Sequence, residues 1–206
     1  MIMRIGFFGG TFNPIHRGHL VLAHQAIDAL NLDSLQWIPA NPWQKSGQII
    51  LPPHDRVAMI EDVIRDEPRM TVNTLEVSSD KPSYSIETLQ TLASKFPHDE
   101  RFYLIGADQW ENFHTWKNWE QLFDLATLVV FSRSQKLQQT SPLVSQFLQN
   151  KHPKVVFLEM PQCPVSSSKL RNKIEKEGVD SEYCRQWLMP STREYLRRLG
   201  SSYNHI

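Results

Sequence analysis

Short apolar runs and helically spaced apolar positions alternate along the whole chain. Continuous apolar runs of roughly four to eight residues are typical of strands buried on both faces, and apolar residues three or four apart are typical of amphipathic helices. The runs predict six strands, at residues 3–8, 35–39, 71–77, 101–105, 127–131 and 154–158. The helical spacing predicts helices at residues 18–30, from near 55 onward, and at 84–96, 116–125 and 142–149.

Strand and helix follow each other in turn, which predicts a mostly parallel sheet covered by helices on both faces. Right-handed crossovers between parallel strands make such an α/β sheet doubly wound. A chain of 206 residues fits a single domain, residues 1–206. Its short helical C-terminal tail, about 167–206, could pack on the sheet or form a small lobe; helices are predicted there at 167–177, 182–187 and 191–199.

Composition and charge narrow the classes of protein. The chain is 40% apolar and 21% charged, with a formal net charge of +0. A protein that binds nucleic acid or an anionic membrane normally carries a basic excess, so neither partner is expected. Cys163 and Cys184 form no CxxC pair and predict free thiols in a reducing cytosol. No cationic leader and no apolar stretch of roughly 20 residues is present, so we expect a cytoplasmic protein. The sequence carries no signal for an oligomeric state.

The segment GGTFNPIHRGH directly follows the first predicted strand, where ligands bind in doubly wound folds. Gly9 and Gly10 let backbone N–H groups approach an anion closely, and Thr11 adds a hydroxyl donor. His16 and His19 share one face at the start of a helix, whose N-terminus favours negative charge. The combination predicts a polyphosphate site. The ordinary alternatives are a simple Gly-Gly turn and a metal site, for which His24 is the nearest third ligand.

A second polar segment, VSSSKLR at residues 165–171, follows the sixth predicted strand and opens a helix. Serines at such a position are good helix caps. Free helix N–H groups, the hydroxyls of Ser166, Ser167 and Ser168, and the guanidinium of Arg171 would also hold a phosphate. Both interpretations of the serines stay open at the level of sequence.

Two further positions lie where a ligand could reach them. Gly106 and Asp108 follow the fourth predicted strand, which lies beside the first strand in a doubly wound order. Asp108 can therefore face the turn that carries His16, or it can cap a helix. Trp116 is either a stacking surface for an aromatic ring or a partly buried core residue.

The two segments together resemble the signatures of the nucleotidylyltransferase superfamily. GGTFNPIHRGH resembles its (H/T)xGH motif, and VSSSKLR resembles ISSTxIR, with Val165 for Ile and Ser168 for Thr. The resemblance implies a Rossmann-like fold and transfer of a nucleotidyl group from a nucleoside triphosphate with Mg²⁺. It implies three catalytic residues, His16, His19 and Arg171. The implied ATP-binding residues are Gly9, Gly10, Thr11, His16, His19, Gly106, Asp108, Ser166, Ser167, Ser168 and Arg171.

Other segments are similar to bacterial nicotinate-nucleotide adenylyltransferases, so that the resemblance runs from residue 3 to about 198. IGAD, ending at Asp108, resembles a ribose-holding IGxD segment. PSYS around Tyr84, with Thr88, resembles PSYT…T, and Ser132-Arg133 resembles an SR pair. Asn13 stands where GTFDP versions carry aspartate and is interpreted as turn-forming. The implied mononucleotide-binding residues are Thr11, Asn41, Lys45, Tyr84, Thr88, Trp116 and Arg133.

This resemblance implies transfer of AMP from ATP to nicotinate mononucleotide, giving nicotinate adenine dinucleotide and pyrophosphate in NAD biosynthesis. Mg²⁺ would come with ATP, without a dedicated metal site on the protein. One enzyme alternative acts on nicotinamide mononucleotide. Another is phosphopantetheine adenylyltransferase, which is typically shorter, has Thr at the position of His16 and lacks the Trp116 segment. The non-enzyme alternative is a nucleotide-binding sensor, against which the two histidines and Arg171 argue.

Overall fold

Six parallel strands form one sheet in the order β3-β2-β1-β4-β5-β6. The computed structural model describes residues 2–41, 51–78, 83–132, 140–159 and 163–200. The strands are β1 Arg4–Gly10, β2 Ser34–Pro39, β3 Met70–Val72, β4 Glu100–Gly106, β5 Thr127–Ser132 and β6 Val155–Glu159. The order reverses between β1 and β4, which pair directly, so the doubly wound Rossmann-like prediction is confirmed.

Helices cover both faces of this sheet, as the alternating pattern predicts. In the described residues they are α1 Arg17–Ala29, α2 Pro53–Ile64, α3 Ser85–Lys95, α4 Ala107–Glu111, α5 Leu122–Leu125, α6 Pro142–Lys151, α7 Ser167–Glu177, α8 Glu182–Trp187 and α9 Pro190–Leu199. Two short 3₁₀ helices, Phe113–Thr115 and Trp119–Gln121, lie between β4 and α5. The predicted loop at 41–53 falls mostly outside the described residues.

Alternation along each central strand divides the core into two clusters, one on each side of the sheet. Phe7 of β1 packs on one side and Phe8 on the other. In β4, Tyr103 and Leu104 divide in the same way. Because both faces of these strands are apolar, their sequences are continuous hydrophobic runs, and such runs predicted the strands correctly.

The C-terminal helices pack on the sheet instead of forming a lobe. Leu170 of α7, Cys184 of α8 and Leu196 of α9 are buried in the same cluster as Phe8. The hydroxyl of Tyr195 in α9 also donates to the buried carboxylate of Asp55 in α2, at 2.8 Å. The tail therefore covers one face of the core.

The third strand is shorter than the predicted segment 71–77. Asn73 ends it, because its side-chain amide bonds to Gln36 of β2 at 2.8 Å while its carbonyl oxygen Oδ1 accepts from the backbone of Leu75 at 3.1 Å. This local side-chain bond starts a turn that competes with the strand ladder. The residues from 73 to 77 have the composition of a strand, but they do not form one, so this part of the prediction is wrong.

The predicted helix at 116–125 is also broken. Asn118 has a left-handed backbone (φ 50°) and separates Trp116, which is extended, from the 3₁₀ turn that leads into α5. Helices at 107–111 and 113–115, which the pattern did not predict, precede it. This succession of short turns places Trp116 beside the carboxyl ends of the strands.

Candidate active site

The loop after β1 packs into the core through Phe12 and Asn13. Phe12 is buried with a left-handed backbone (φ 50°), its ring packed against Trp37. Asn13 is 2% exposed, and its Oδ1 accepts a hydrogen bond from the backbone N–H of Leu51 at 3.2 Å. This contact agrees with the interpretation of Asn13 as turn-forming.

A buried arginine, Arg56, binds the backbone of the same loop. Arg56 of α2 is 2% exposed, and its guanidinium donates to the carbonyl oxygens of Thr11, Ala40 and Leu51 at 2.9, 2.9 and 3.0 Å. Burial lowers the pKa of this guanidinium. Arg56 therefore ties the loop after β1 to the end of β2 and the start of α2.

The two histidines stack at the start of α1. Their ring centroids are 3.7 Å apart with an interplanar angle of 20°. The backbone N–H of His16, the residue before the helix, donates to Nδ1 of His19 at 3.2 Å. In a neutral imidazole one nitrogen accepts and the other carries the proton, so Nε2 of His19 is the donor. The sequence prediction that the rings share one face is confirmed.

Burial keeps both rings uncharged in the absence of ligand. Desolvation lowers the pKa of His16 to about 4, and desolvation followed by the neighbouring His16 lowers the pKa of His19 well below its ordinary value. Neutral imidazoles act as hydrogen-bond donors, and a bound anion would raise their pKa.

The start of α7 closes against this loop. The hydroxyl of Ser167 donates to the carbonyl oxygen of Pro14 at 3.0 Å, and Arg171 donates to the carbonyl oxygen of Asn13 at 2.8 Å. Ser166 caps the helix, because its Oγ accepts from the backbone of Lys169 at 3.2 Å. A methyl group on Gly18 would approach Val165 to 2.9 Å, so this glycine allows α1 and the second segment to meet. The serines thus both cap a helix and face the histidines.

These elements enclose a cleft of about 340 Å³ at the carboxyl ends of the strands. All of the predicted ATP-binding residues line it, from Gly9, Gly10 and Thr11 through His16 and His19 to Gly106, Asp108, Ser166, Ser167, Ser168 and Arg171. Asp108 lies in the first turn of α4, is exposed, and does not occupy the capping position, which belongs to Gly106. Its carboxylate therefore remains available to a ligand.

A second cleft of about 620 Å³ adjoins the first. The two share Gly9, Gly10, Thr11, Asp108 and Gln109, so a ligand in one can meet a ligand in the other at the loop after β1. Aromatic rings line this larger cleft, where Trp116 packs against Phe113 with ring centroids 5.3 Å apart and Tyr84 lies at the start of α3. Trp116 is thus partly buried and also faces the cleft.

The remaining predicted mononucleotide residues are distributed unevenly. Thr11, Tyr84 and Trp116 line the larger cleft. Asn41 supports its rim through the backbone, since its carbonyl oxygen accepts from the N–H of Ser83 at 3.0 Å. Lys45 and Arg133 lie outside the described residues.

Thr88 lies behind the cleft wall and not on it. It is 4% exposed, and its hydroxyl is 2.8 Å from Oε1 of Glu76, whose Oε2 accepts from the hydroxyl of Ser83 at 2.5 Å. Glu76 itself lines the cleft. Burial raises the pKa of Glu76, while the two hydrogen bonds act in the opposite direction. Thr88 therefore supports Glu76, and its direct contact with a mononucleotide stays a prediction from the sequence.

Sequence reasoning missed several polar residues of the larger cleft, among them Glu76, Gln109, Asn112 and Lys117. Glu76 lay hidden inside the apparent third strand. Gln109 follows Asp108 and accepts from the backbone N–H of Gly106 at 2.9 Å. Lys117 directly follows Trp116, and that adjacency was the one signal available for it.

The described residues also bear on a metal site and on a membrane span. No group of three or more His, Cys, Asp and Glu side chains within them could hold a metal ion. His24 instead pairs with Glu67, at 3.3 Å. Among the same described residues, no helix has the length and apolarity needed to cross a membrane.

Comparison with known proteins agrees with the geometry. The family model described as cytidylyltransferase-like matches residues 7–173. A structure of the Plasmodium falciparum nicotinic acid mononucleotide adenylyltransferase, complexed with NaAD, superposes with a TM-score of 0.77 at 19% identity, covering 99% of this chain and 100% of that one. That likeness concerns the fold, and it extends over the whole sheet and its helices.

The fold and the paired clefts define a nucleotidyltransferase of the Rossmann-like class. A probable nicotinate-nucleotide adenylyltransferase of Thermus thermophilus is 36% identical over 199 residues, covering 96% of this chain and 98% of that one. Another, from Geobacillus thermodenitrificans, is 33% identical over 198 residues, covering 96% and 85%. The chain belongs to the nicotinate-nucleotide adenylyltransferase family.

Proposed function

We propose that this enzyme transfers AMP from ATP to nicotinate mononucleotide, giving nicotinate adenine dinucleotide and pyrophosphate, in the cytoplasm. The observation that carries the proposal is the junction of two clefts at Gly9, Gly10 and Thr11. One cleft is lined by imidazoles, serines and Arg171, which suit a triphosphate, and the other by aromatic rings, which suit a pyridine.

The reaction needs no general base from the protein. A phosphate monoester with a second pKa near ~6 is mostly a dianion at neutral pH, so the 5′-phosphate can attack the α-phosphorus of ATP directly. The barrier comes from charge repulsion and developing charge, and catalysis is therefore positioning and electrostatic stabilisation. His19 would donate through Nε2 to the oxygens of the pentacoordinate phosphorus.

The other residues of the smaller cleft would hold the triphosphate. His16 and Thr11 would donate from the loop after β1, and Arg171 would donate from α7 toward the β- and γ-phosphates; all three line this cleft. Gly106 and Asp108, after β4, would hold the ribose. In the larger cleft, Trp116 and Tyr84 would flank the pyridine ring, with Asn41 and Thr88 supporting the wall and Lys45 and Arg133 as further candidates from the sequence.

Mg²⁺ would enter with ATP, because triphosphate oxygens are good ligands for this ion and it is commonly bound through substrate phosphates. Of the side chains that line the smaller cleft, the Asp108 carboxylate and the Thr11 hydroxyl offer oxygens of the kind that suit Mg²⁺. When bound, the ion would neutralise charge on the phosphates.

The first test measures pyrophosphate release with ATP and Mg²⁺, comparing nicotinate and nicotinamide mononucleotides at equal concentration. We expect strong preference for nicotinate mononucleotide. His19→Ala should fold normally and lose on the order of 10²–10³ in kcat, because one preorganised donor to the transition state is removed. His24→Ala, on the same helix but paired with Glu67, is the matched control.

Absence of release with either mononucleotide would reject the proposed acceptor, and phosphopantetheine would be assayed next. Near-normal turnover by a folded His19→Ala variant would reject the role given to this imidazole.

A further inference from the structure

Lys117 is the one cation among the described residues that line the larger cleft. Its Nζ lies 4.5 Å from the ring centroid of Tyr84 and 2.7 Å from Oε1 of Glu87. Trp116, the preceding residue, lines the same wall. An ammonium group therefore lies beside Tyr84, one of the two aromatic residues proposed to flank the pyridine, and it belongs to the residue that follows the other, Trp116.

The charges of this wall suit one mononucleotide better than the other. Both mononucleotides carry a positive charge on the glycosylated ring nitrogen, which the carboxylates of Glu76 and Asp108 in the wall can accommodate. Nicotinate mononucleotide adds a carboxylate on the ring, whereas nicotinamide mononucleotide has a neutral carboxamide there. An ammonium beside the ring attracts the first substituent and gains little from the second.

We propose that Lys117 is a specificity-determining residue, whose ammonium pairs with the ring carboxylate of nicotinate mononucleotide and so selects it over nicotinamide mononucleotide. The inference rests on the proposed function and extends it to one side chain. Glu87, the present partner of Lys117, competes with the substrate carboxylate and holds the ammonium at the edge of the cleft.

The expected size of the effect follows from the exposure of the pair. The side chains of Lys117 and Glu87 are 48% and 56% exposed, so solvent screens the ammonium. Exposed ion pairs contribute up to about fivefold in an equilibrium constant, and a bound ring that excludes water strengthens the contact. A selectivity change of about fivefold to tenfold is therefore expected.

The test compares Lys117→Gln, Glu87→Gln and Lys95→Gln by pyrophosphate release with both mononucleotides. Lys117→Gln should raise KM for nicotinate mononucleotide about fivefold to tenfold, while kcat and the KM for nicotinamide mononucleotide change less than about twofold. Glu87→Gln should raise the preference for nicotinate, because the competing carboxylate is gone. Lys95, whose Nζ lies over the Phe96 ring outside both clefts, is the matched control.

The opposite responses of the two partners separate selection from a structural role. If the Lys117–Glu87 pair only stabilises the segment around Trp116, both variants should weaken both mononucleotides alike, and the proposal is wrong. The preference of the wild type should also fall with rising ionic strength, and that of Lys117→Gln should not. A salt-independent preference in the wild type would equally overturn it.

Failure of this inference is distinguishable from failure of the proposed function. A wild-type enzyme that releases no pyrophosphate with nicotinate mononucleotide rejects the function itself. An active enzyme whose Lys117→Gln variant retains the full nicotinate preference rejects only the role of Lys117.

Discussion

His16 shows how the fold sets the chemistry of a single side chain. It is 5% exposed, and desolvation lowers its pKa to about 4 from an ordinary value of 6.5. Between these two values the unfolded chain binds a proton that the folded chain does not. The part of the unfolding free energy that depends on keeping His16 neutral is fully present above pH 6.5, and it is lost as the pH falls toward 4.

Replacing this histidine should remove that part of the acid sensitivity. His16→Asn keeps a side chain suited to the position before a helix. The wild type should lose about 1–2 kcal/mol of unfolding free energy relative to the variant between pH 7 and pH 5. Removal of His16 also relieves His19 of a neighbour that lowers its pKa, which acts in the same direction. Urea unfolding at the two pH values measures the difference.

His98→Asn, at an exposed site, controls for the loss of an imidazole from the chain. A stability difference between wild type and His16→Asn that is the same at both pH values would show that burial does not hold His16 neutral.

At the scale of elements, α2 holds the loop after β1 in place through Arg56. None of the described residues that line the two clefts belongs to α2. Arg56 donates to carbonyl oxygens on three separate segments, at Thr11, Ala40 and Leu51. Removing the donor would leave buried carbonyl oxygens unpaired, and each such group costs roughly 1–3 kcal/mol.

Arg56→Met is accordingly expected to destabilise the protein by about 3 kcal/mol or more and to raise KM for ATP, because the loop after β1 loses its support. Denaturant unfolding and steady-state kinetics measure the two effects. Arg65→Met, in which an exposed arginine loses its pair with Asp62, should change stability by less than about 0.5 kcal/mol. Equal stability of the two variants would contradict the organising role of Arg56.

At the scale of the whole molecule, the C-terminal helices share one core with the strands and helices that precede them. Leu196 is 3% exposed and belongs to the same cluster as Phe8 and Phe12. We propose on this ground that residues 1–206 unfold as a single domain, although α7–α9 follow the last strand.

Truncation of this contact tests the shared core. Leu196→Ala should cost about 2–5 kcal/mol and shift a single cooperative transition, because a cavity in a common core weakens all of it. Circular dichroism and tryptophan fluorescence should report the same midpoint. Arg198→Ala, at a site with 74% side-chain exposure, is the control. Two separated transitions in Leu196→Ala would mean that the tail unfolds by itself.

Much of the fold was predictable because its signals are local. Strands β1, β4 and β5 are apolar on both faces, so each can be predicted from its own residues without knowledge of its neighbours. The start of α7 can be predicted from its serines, of which Ser166 caps the helix. The prediction failed where a side chain redirects the backbone. Asn73 ends β3 through its bond to Gln36, and Asn118 turns the chain before α5.

The sequence by itself determined the class of reaction that could be predicted, because Gly9–Gly10, His16 and His19 stand in one short motif and Arg171 in another, and a short motif is legible without the fold. Only the tertiary structure decided which residues meet. It brought Ser167 to Pro14 across 153 positions, placed Thr88 behind Glu76, and set Lys117 against Tyr84. Such contacts depend on strand order and on how short turns pack, and no local pattern of apolar and polar residues contains that information.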